Sequence, residues 1–390
     1  MMMLEKKKVG IITYHAADNY GSVLQAYALS NYLKKAFNQK CTFINYCSES
    51  QRMLYGLYFA NESLKDILKN LYIFLILKEK RETKIHAFDS FRRKYFQMSP
   101  LNPTSDVKEL NLNRYDLIIC GSDQIWNVRV KDYDSIYMLD GIDIPKKISY
   151  AASMGGLDLN LTNAEMNKIH DDLKSFFSIS VRENIAKTML SKCSLPSIRT
   201  NIDPTFLLPA DDWKKIMSPR IIEDEYIFFY SVDYNDDSLE IAEWYGNKLG
   251  LPVIYMNTSW KSYFIKRAGM KWAGAAKVED FLSLVYYSKA VLSGSFHGTA
   301  FSLIFNKPFY RIQRNVKGNG IVDDRVRSLF ERLEIHDREI SIDNYKIMLN
   351  GLFNMDYKTI NQNIRKAKDE SKSYFADIFI KEVENENRTN

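Results

Sequence analysis

The chain has 390 residues, 46% of them hydrophobic and 26% charged; this balance argues against disorder, and the length exceeds what one core ordinarily fills, so two domains are expected. A net charge of +6 favours anionic partners, yet no dense Lys/Arg block or nucleic-acid motif focuses it, and nucleic acid is not expected. Cys41, Cys47, Cys120 and Cys193 lack CxxC or Cys/His spacing, which reads as reduced, mostly buried thiols rather than a zinc site or a disulfide framework.

The opening MMMLEKKKVGIITYH has a basic flank but too short an apolar run for a signal peptide, and leads into a strand over residues 9–14. A polar loop and a helical pattern over 22–35 follow, with Val23, Tyr27, Leu24 and Ala28 on one side. Ser22 is the expected cap, and Gly21 lets the backbone turn before it. The most membrane-like stretch, LYIFLIL at 71–77, is far below the roughly 20 residues of a bilayer span. With Lys65, Lys69, Lys78, Lys80, Arg81, Arg92 and Arg93 around it, residues 65–93 suit either a basic helix lying on a membrane surface or a buried helix with a solvated basic face. Further strands are expected at 41–46, 117–120, 148–152 and 179–181, and their alternation with helices implies an α/β fold with a parallel sheet covered on both faces.

Residues 208–225 form a polar, proline-containing stretch suited to joining domains. A second series then begins, with strands expected at 226–232, 252–256, 290–293 and 308–312 and helices at 238–249, 278–287 and 298–306. A long charged helix over 355–383 is expected to pack back on the first domain. The division is therefore 1–210, 226–350 and a terminal 351–390.

Ligands of open parallel sheets bind beyond the carboxyl ends of strands, so polar clusters just after strands carry the functional signal. The first is HAADNYGS, His15 to Ser22, with Asn19, Tyr20 and Gly21, and Gln25 in the helix behind it. The second is GSDQIWN, with Gly121, Ser122, Asp123, Gln124 and Trp126. Glycine beside polar side chains lets a ligand approach backbone N–H groups; an ordinary turn is the alternative. SVREN places Arg182 at a strand exit, able to fork onto a phosphate or carboxylate or to make a surface ion pair. Asp203, before a proline in IDPTFLL, reads as a structural turn. LSGSFHGTAFSLIFNKP sets His297 at a helix N-terminus among Ser295, Gly298 and Thr299, where the helix dipole favours an anion. The acidic pairs Asp171/Asp172, Asp211/Asp212, Asp236/Asp237 and Asp323/Asp324 lack a ligand pattern, and no metal is expected.

Taken in order, DNYGSVLQAYAL, GSDQIWN, SVREN, DPTFLL and SFHGTAFSLIFNKP resemble the polysaccharide pyruvyl transferase family over roughly residues 9–333. The resemblance implies two Rossmann-like domains facing across a cleft, similar to the GT-B glycosyltransferase architecture. It implies a bacterial, cytoplasmic transferase that moves the enolpyruvyl group of phosphoenolpyruvate onto a sugar as a ketal, with phosphoenolpyruvate as co-substrate and no cofactor. The acceptor implied is a lipid-linked oligosaccharide, reached from the inner face of the membrane. Arg182 and His297 are implied as the donor-contacting pair, with Asp123 as a candidate to orient or deprotonate the acceptor. Many members carry arginine two positions before the motif histidine, where Ser295 stands here; Lys307, Arg311, Arg325 and Arg327 are the candidate replacements. Two other functions remain open, a nucleotide-sugar-dependent glycosyltransferase and a non-catalytic scaffold of polysaccharide assembly.

Overall fold

Short strands that are apolar on both faces need helices above and below them, and this chain supplies them twice. A computed structural model describes residues 7–60, 62–156, 161–195, 197–313 and 324–380. The first half runs β1 (Val9–Ile12), α1 (Tyr20–Phe37), β2 (Cys41–Tyr46), α2 (Glu49–Tyr55), α3 (Leu64–Tyr72), α4 (Lys78–Tyr95), β3 (Met98–Thr104), β4 (Leu117–Cys120), β5 (Lys147–Ser149), α5 (Asn163–Leu173), β6 (Ile179–Val181), α6 (Asn184–Leu190) and β7 (Ile198–Thr200). After α7 (Ala210–Lys214) the second half runs β8 (Ile227–Tyr230), α8 (Asp236–Leu249), β9 (Val253–Tyr255), β10 (Met270–Trp272), α9 (Val278–Tyr287), β11 (Ala290–Ser293), α10 (Phe296–Ile304), β12 (Phe309–Ile312), α11 (Asp324–Leu333) and β13 (Glu339–Ile340), and α12 (Tyr357–Phe379) closes the chain.

The sheets are ordered β3-β2-β1-β4-β5 and β10-β9-β8-β11-β12-β13, all parallel, which is the doubly wound Rossmann order in each half. Strand order reverses between β1 and β4 and between β8 and β11, so ligand sites are expected beyond the carboxyl ends of those four strands. The small pair β6-β7 extends the first sheet through bridges from Ile148 to Ser178 and from Ala152 to Val181. The four cysteines are free and buried.

Residues 208–225 connect the halves through a buried residue: Trp213 is fully buried, with its ring 5.6 Å from Tyr27 and 4.9 Å from Phe301, which wedges the connection between them. The strand β3 was not expected, because Pro100 and Pro103 interrupt it; an edge strand tolerates them, having no partner on one side. In the 65–93 region α3 is not a buried helix: apolar side chains face out beside the exposed Lys65, Lys78, Lys80 and Arg93. Ile73 and Leu77 of the π-helical segment Ile73–Leu77 are buried. Leu64, Ile67, Leu68, Leu71, Phe74, Leu75 and Ile76 are exposed, Leu64 at 81% and Leu68 at 67%.

The helix α12 returns to the first half, where Phe375 stacks on Tyr150 at 4.6 Å and the Tyr374 hydroxyl donates to Ser149 O at 2.6 Å. Residues 381–383 of the expected helix lie outside the described residues. No described helix is long and apolar enough to cross a membrane.

Candidate functional site

At the first reversal, α1 starts at Tyr20 and is capped by Asn19, whose side chain accepts from the N–H groups of Gly21 and Ser22. Ser22 is therefore not the cap. It is freed to donate its hydroxyl to Asp123 Oδ2 at 2.5 Å, while Asp123 Oδ1 takes the N–H of Gln124 at 2.8 Å. Asp123 leaves β4 at φ 77°, which turns its carboxylate back toward α1. Gln25 completes the link: its amide donates to Thr13 and Ser22 and accepts from the N–H of Ser122. Gly121 passes so close to the Tyr150 carbonyl that a side chain would not fit. The first two polar clusters are thus one buried hydrogen-bonded unit.

Two residues of that set point elsewhere. Trp126 is buried in the core with its indole donating to Tyr137 O at 3.0 Å, and Gln124 accepts from Asn127 at 3.1 Å. Tyr20 is also buried, its hydroxyl donating across the halves to Ala276 O. His15 is held between Thr13 O and Asn45 Oδ1, and burial pushes its imidazole down to about 4. It stays neutral near pH 7 and serves the packing under the loop.

At the second reversal, α10 begins at Phe296, two residues before the expected start. Ser295 is its N-cap residue, with its N–H bound to Ser293 Oγ, and Thr299 donates back to Ser295 O. Gly298 presses against Ser293 and Tyr230, leaving no space for a side chain. These residues shape the entry of the helix and set His297 in its first turn.

His297 joins the halves. Its ring lies so tightly on the Cα of Gly21 that a methyl there would overlap it. His297 Nε2 is buried without a hydrogen-bond partner and stands 3.7 Å from Asp203 Oδ2. Asp203 spends one oxygen on the N–H and hydroxyl of Thr205, as a turn residue would, but its other oxygen accepts from Arg182 Nη1 at 2.8 Å. Burial opposes ionisation of this carboxyl, yet His297, Arg182 and the Thr205 N–H hold it below the usual carboxylate range. The Arg182 guanidinium also stacks over Phe296 at 4.3 Å. Its Nε is buried without a hydrogen-bond partner, 3.8 Å from Glu183 Oε2.

Asp203 and Glu183 were not singled out as site residues. Glu183 is wholly buried and receives Ser153 and the Met154 N–H at 2.9 and 2.7 Å; burial pushes its carboxyl up, against Arg182. Asp203 lines a cavity of about 310 Å³ together with Arg182, Phe296 and Arg325, whereas Glu183 reaches it only through Arg182. Of the four candidate cations, Arg325 is the one that shares this cavity with Arg182. Arg311 instead pairs with Glu339 at 2.8 Å, and the Lys307 ammonium lies over the Tyr286 ring. A buried guanidinium, a second, half-buried one and an unpaired buried Nε on one space are features that suit an anion, although Glu331, Glu334 and Glu370 also line it. Among the described residues no three His, Cys, Asp or Glu side chains gather as metal ligands.

Solved structures share this architecture at low identity. MnaA of S. aureus, solved with UDP, is 11% identical with a TM-score of 0.52, covering 91% of this chain and 90% of that one. The UDP-GlcNAc 2-epimerase of Methanocaldococcus jannaschii, in complex with UDP-GlcNAc and UDP, is 12% identical with a TM-score of 0.50, covering 93% and 99%. These establish the GT-B arrangement of two facing Rossmann-like halves. No curated protein matches significantly in sequence. The model of the polysaccharide pyruvyl transferase family matches residues 19–315, from the cap of α1 to just past β12 and across both halves of the site, and the chain belongs to that family.

Proposed function

We propose that the protein transfers the enolpyruvyl group of phosphoenolpyruvate to a sugar of a polysaccharide precursor, releasing phosphate. The observation that carries this reading is the buried Arg182–Asp203–His297 cluster beside a cavity that also holds Arg325. Arg182 and Arg325 clamp the phosphate and carboxylate of the donor. A proton passes to the methylene carbon, the adjacent carbon becomes electrophilic, and a sugar hydroxyl oxygen bonds to it while giving up its proton. Phosphate then departs with the electrons of the C–O bond, and a second hydroxyl oxygen bonds to the same carbon and gives up its proton, closing the ketal and restoring the proton first consumed. We assign the proton movement to His297, a reading supported by its approach to Asp203 at the edge of this cluster. Asp123 commits both oxygens to Ser22 and Gln124, which supports reading it as a residue that fixes the entry of α1.

The test is phosphate release from phosphoenolpyruvate with galactose, mannose and glucuronate acceptors. Acceptor-dependent release supports the reading. Absence of release with tight binding of a uridine or guanosine diphosphate sugar overturns it in favour of a glycosyltransferase; partner binding that survives His297→Ala without any turnover overturns it in favour of a scaffold.

The acceptor is taken to be lipid-linked, and the outward face of α3 supports this. Exposed leucines and isoleucines at helical spacing are flanked by Lys65, Lys78 and Lys80, a pattern suited to lying in an anionic bilayer surface. Co-sedimentation is expected with vesicles containing phosphatidylglycerol, less with phosphatidylcholine alone, and Leu68→Glu with Leu71→Glu should lower the bound fraction about tenfold. A dimer in light scattering that fails to bind either vesicle would show that a second copy covers this face instead.

A further inference from the structure

A second cavity, of about 350 Å³, opens between the halves on the side of Asn19 and Tyr20, and the cluster around His297 makes no use of it. Its size falls in the range of small-molecule sites. Two cations of α4, Arg81 and Lys84, face it from one turn of the helix. One carboxylate, Asp18, also lines the cavity, and both it and Asp89 take the Arg92 guanidinium, at 2.8 and 2.7 Å. Arg81 donates to the Gly56 carbonyl at 2.6 Å, and its Nε is buried with no partner. The Lys84 ammonium has ring faces for company, Tyr20 and Phe88 each at 5.6 Å. Burial pushes it down to about 8, with Asp18 pulling it up and Arg81 pushing it further down. Across the cavity, Asn257 Oδ1 is buried and unpaired beside the Trp260 ring, which meets Phe59 edge-on at 5.6 Å.

Two partly buried cations that share the cavity with one carboxylate, itself bonded to Arg92, cost free energy when desolvated, and an anion arriving between them relieves it. Flat aromatic faces suit the C–H face of a pyranose, and an unpaired amide oxygen suits a hydroxyl. We infer that this cavity binds the acceptor sugar and that this sugar carries an anionic group, a carboxylate or a phosphate, held by Arg81 and Lys84. That the ligand is the acceptor rests on the transferase reading; that it is an anionic sugar rests on the cavity alone.

Titration calorimetry on the full chain separates the two, because it needs no turnover. The probes are glucuronate, N-acetylglucosamine 1-phosphate and neutral mannose. Glucuronate or the sugar phosphate should bind more tightly than mannose, and the winner of that pair identifies the anion. Arg81→Met and Lys84→Met, which keep length and remove charge, should each weaken the tighter probe about tenfold. Lys80→Met, whose ammonium lies over Trp272 outside the cavity lining, should leave it unchanged. Equal binding of mannose, or anion binding indifferent to both charge removals, overturns the inference. So does uridine diphosphate that competes for this cavity and outbinds every sugar. Charge-dependent sugar binding without phosphoenolpyruvate turnover would fell the transferase reading and leave the cavity assignment standing.

Discussion

Gly21→Ala is expected to lower acceptor-dependent phosphate release about a hundredfold or more, although the residue has no side chain to take part in any reaction. The added methyl would occupy the space of the His297 ring, so either the ring swings off Asp203 or α1 and α10 move apart. Overpacking of this kind also costs about 1–3 kcal/mol of stability. A double-mutant cycle distinguishes the clash from general damage. Adding His297→Ala removes the ring, so the pair should recover most of the stability lost by Gly21→Ala while remaining inactive. If stability stays low in the pair, the glycine is required for the turn and not for the histidine.

Arg182→Ala should have the larger thermodynamic effect. It removes the guanidinium from a wholly buried carboxylate, and breaking such a pair costs about 3–5 kcal/mol. Activity should fall about a thousandfold from loss of the cation alone, and urea unfolding measured beside kinetics reports both. Arg182→Ala with Asp203→Asn should regain stability without activity, since the orphaned charge is gone. The pH dependence follows the depressed Asp203 carboxyl: its contribution is full above the ordinary carboxylate pKa of 3.8 and is lost as pH falls through the lower folded value. In Arg182→Ala that loss should begin at higher pH, a shift that acid unfolding curves would register.

Much of this was legible in the sequence because parallel strands announce themselves as short apolar runs, and because chemistry sits at their exits. Arg182 and His297 stood out by position, one just past a strand and the other at a helix start, and the family resemblance paired them. Asp203 was read as a turn residue, which is half of what it does; its bonds to Thr205 are local, whereas Arg182 and His297 reach it from other elements. The cap of α1 was misassigned because Asn19 and Ser22 are both good capping residues, and only the position of Asp123 decides which one is spent on the helix. Arg81 and Lys84 were hidden in a basic run whose apolar and charged faces cannot be oriented without the neighbouring sheet.

The chain passes between the halves twice, once through the Trp213 wedge and again between β13 and α12. His297 comes from one half while Gly21, Arg182 and Asp203 come from the other, so the cluster exists only while the halves are seated on each other. Each half can keep its own sheet and core without it, and a change that loosens the seam is expected to remove activity before it unfolds either sheet.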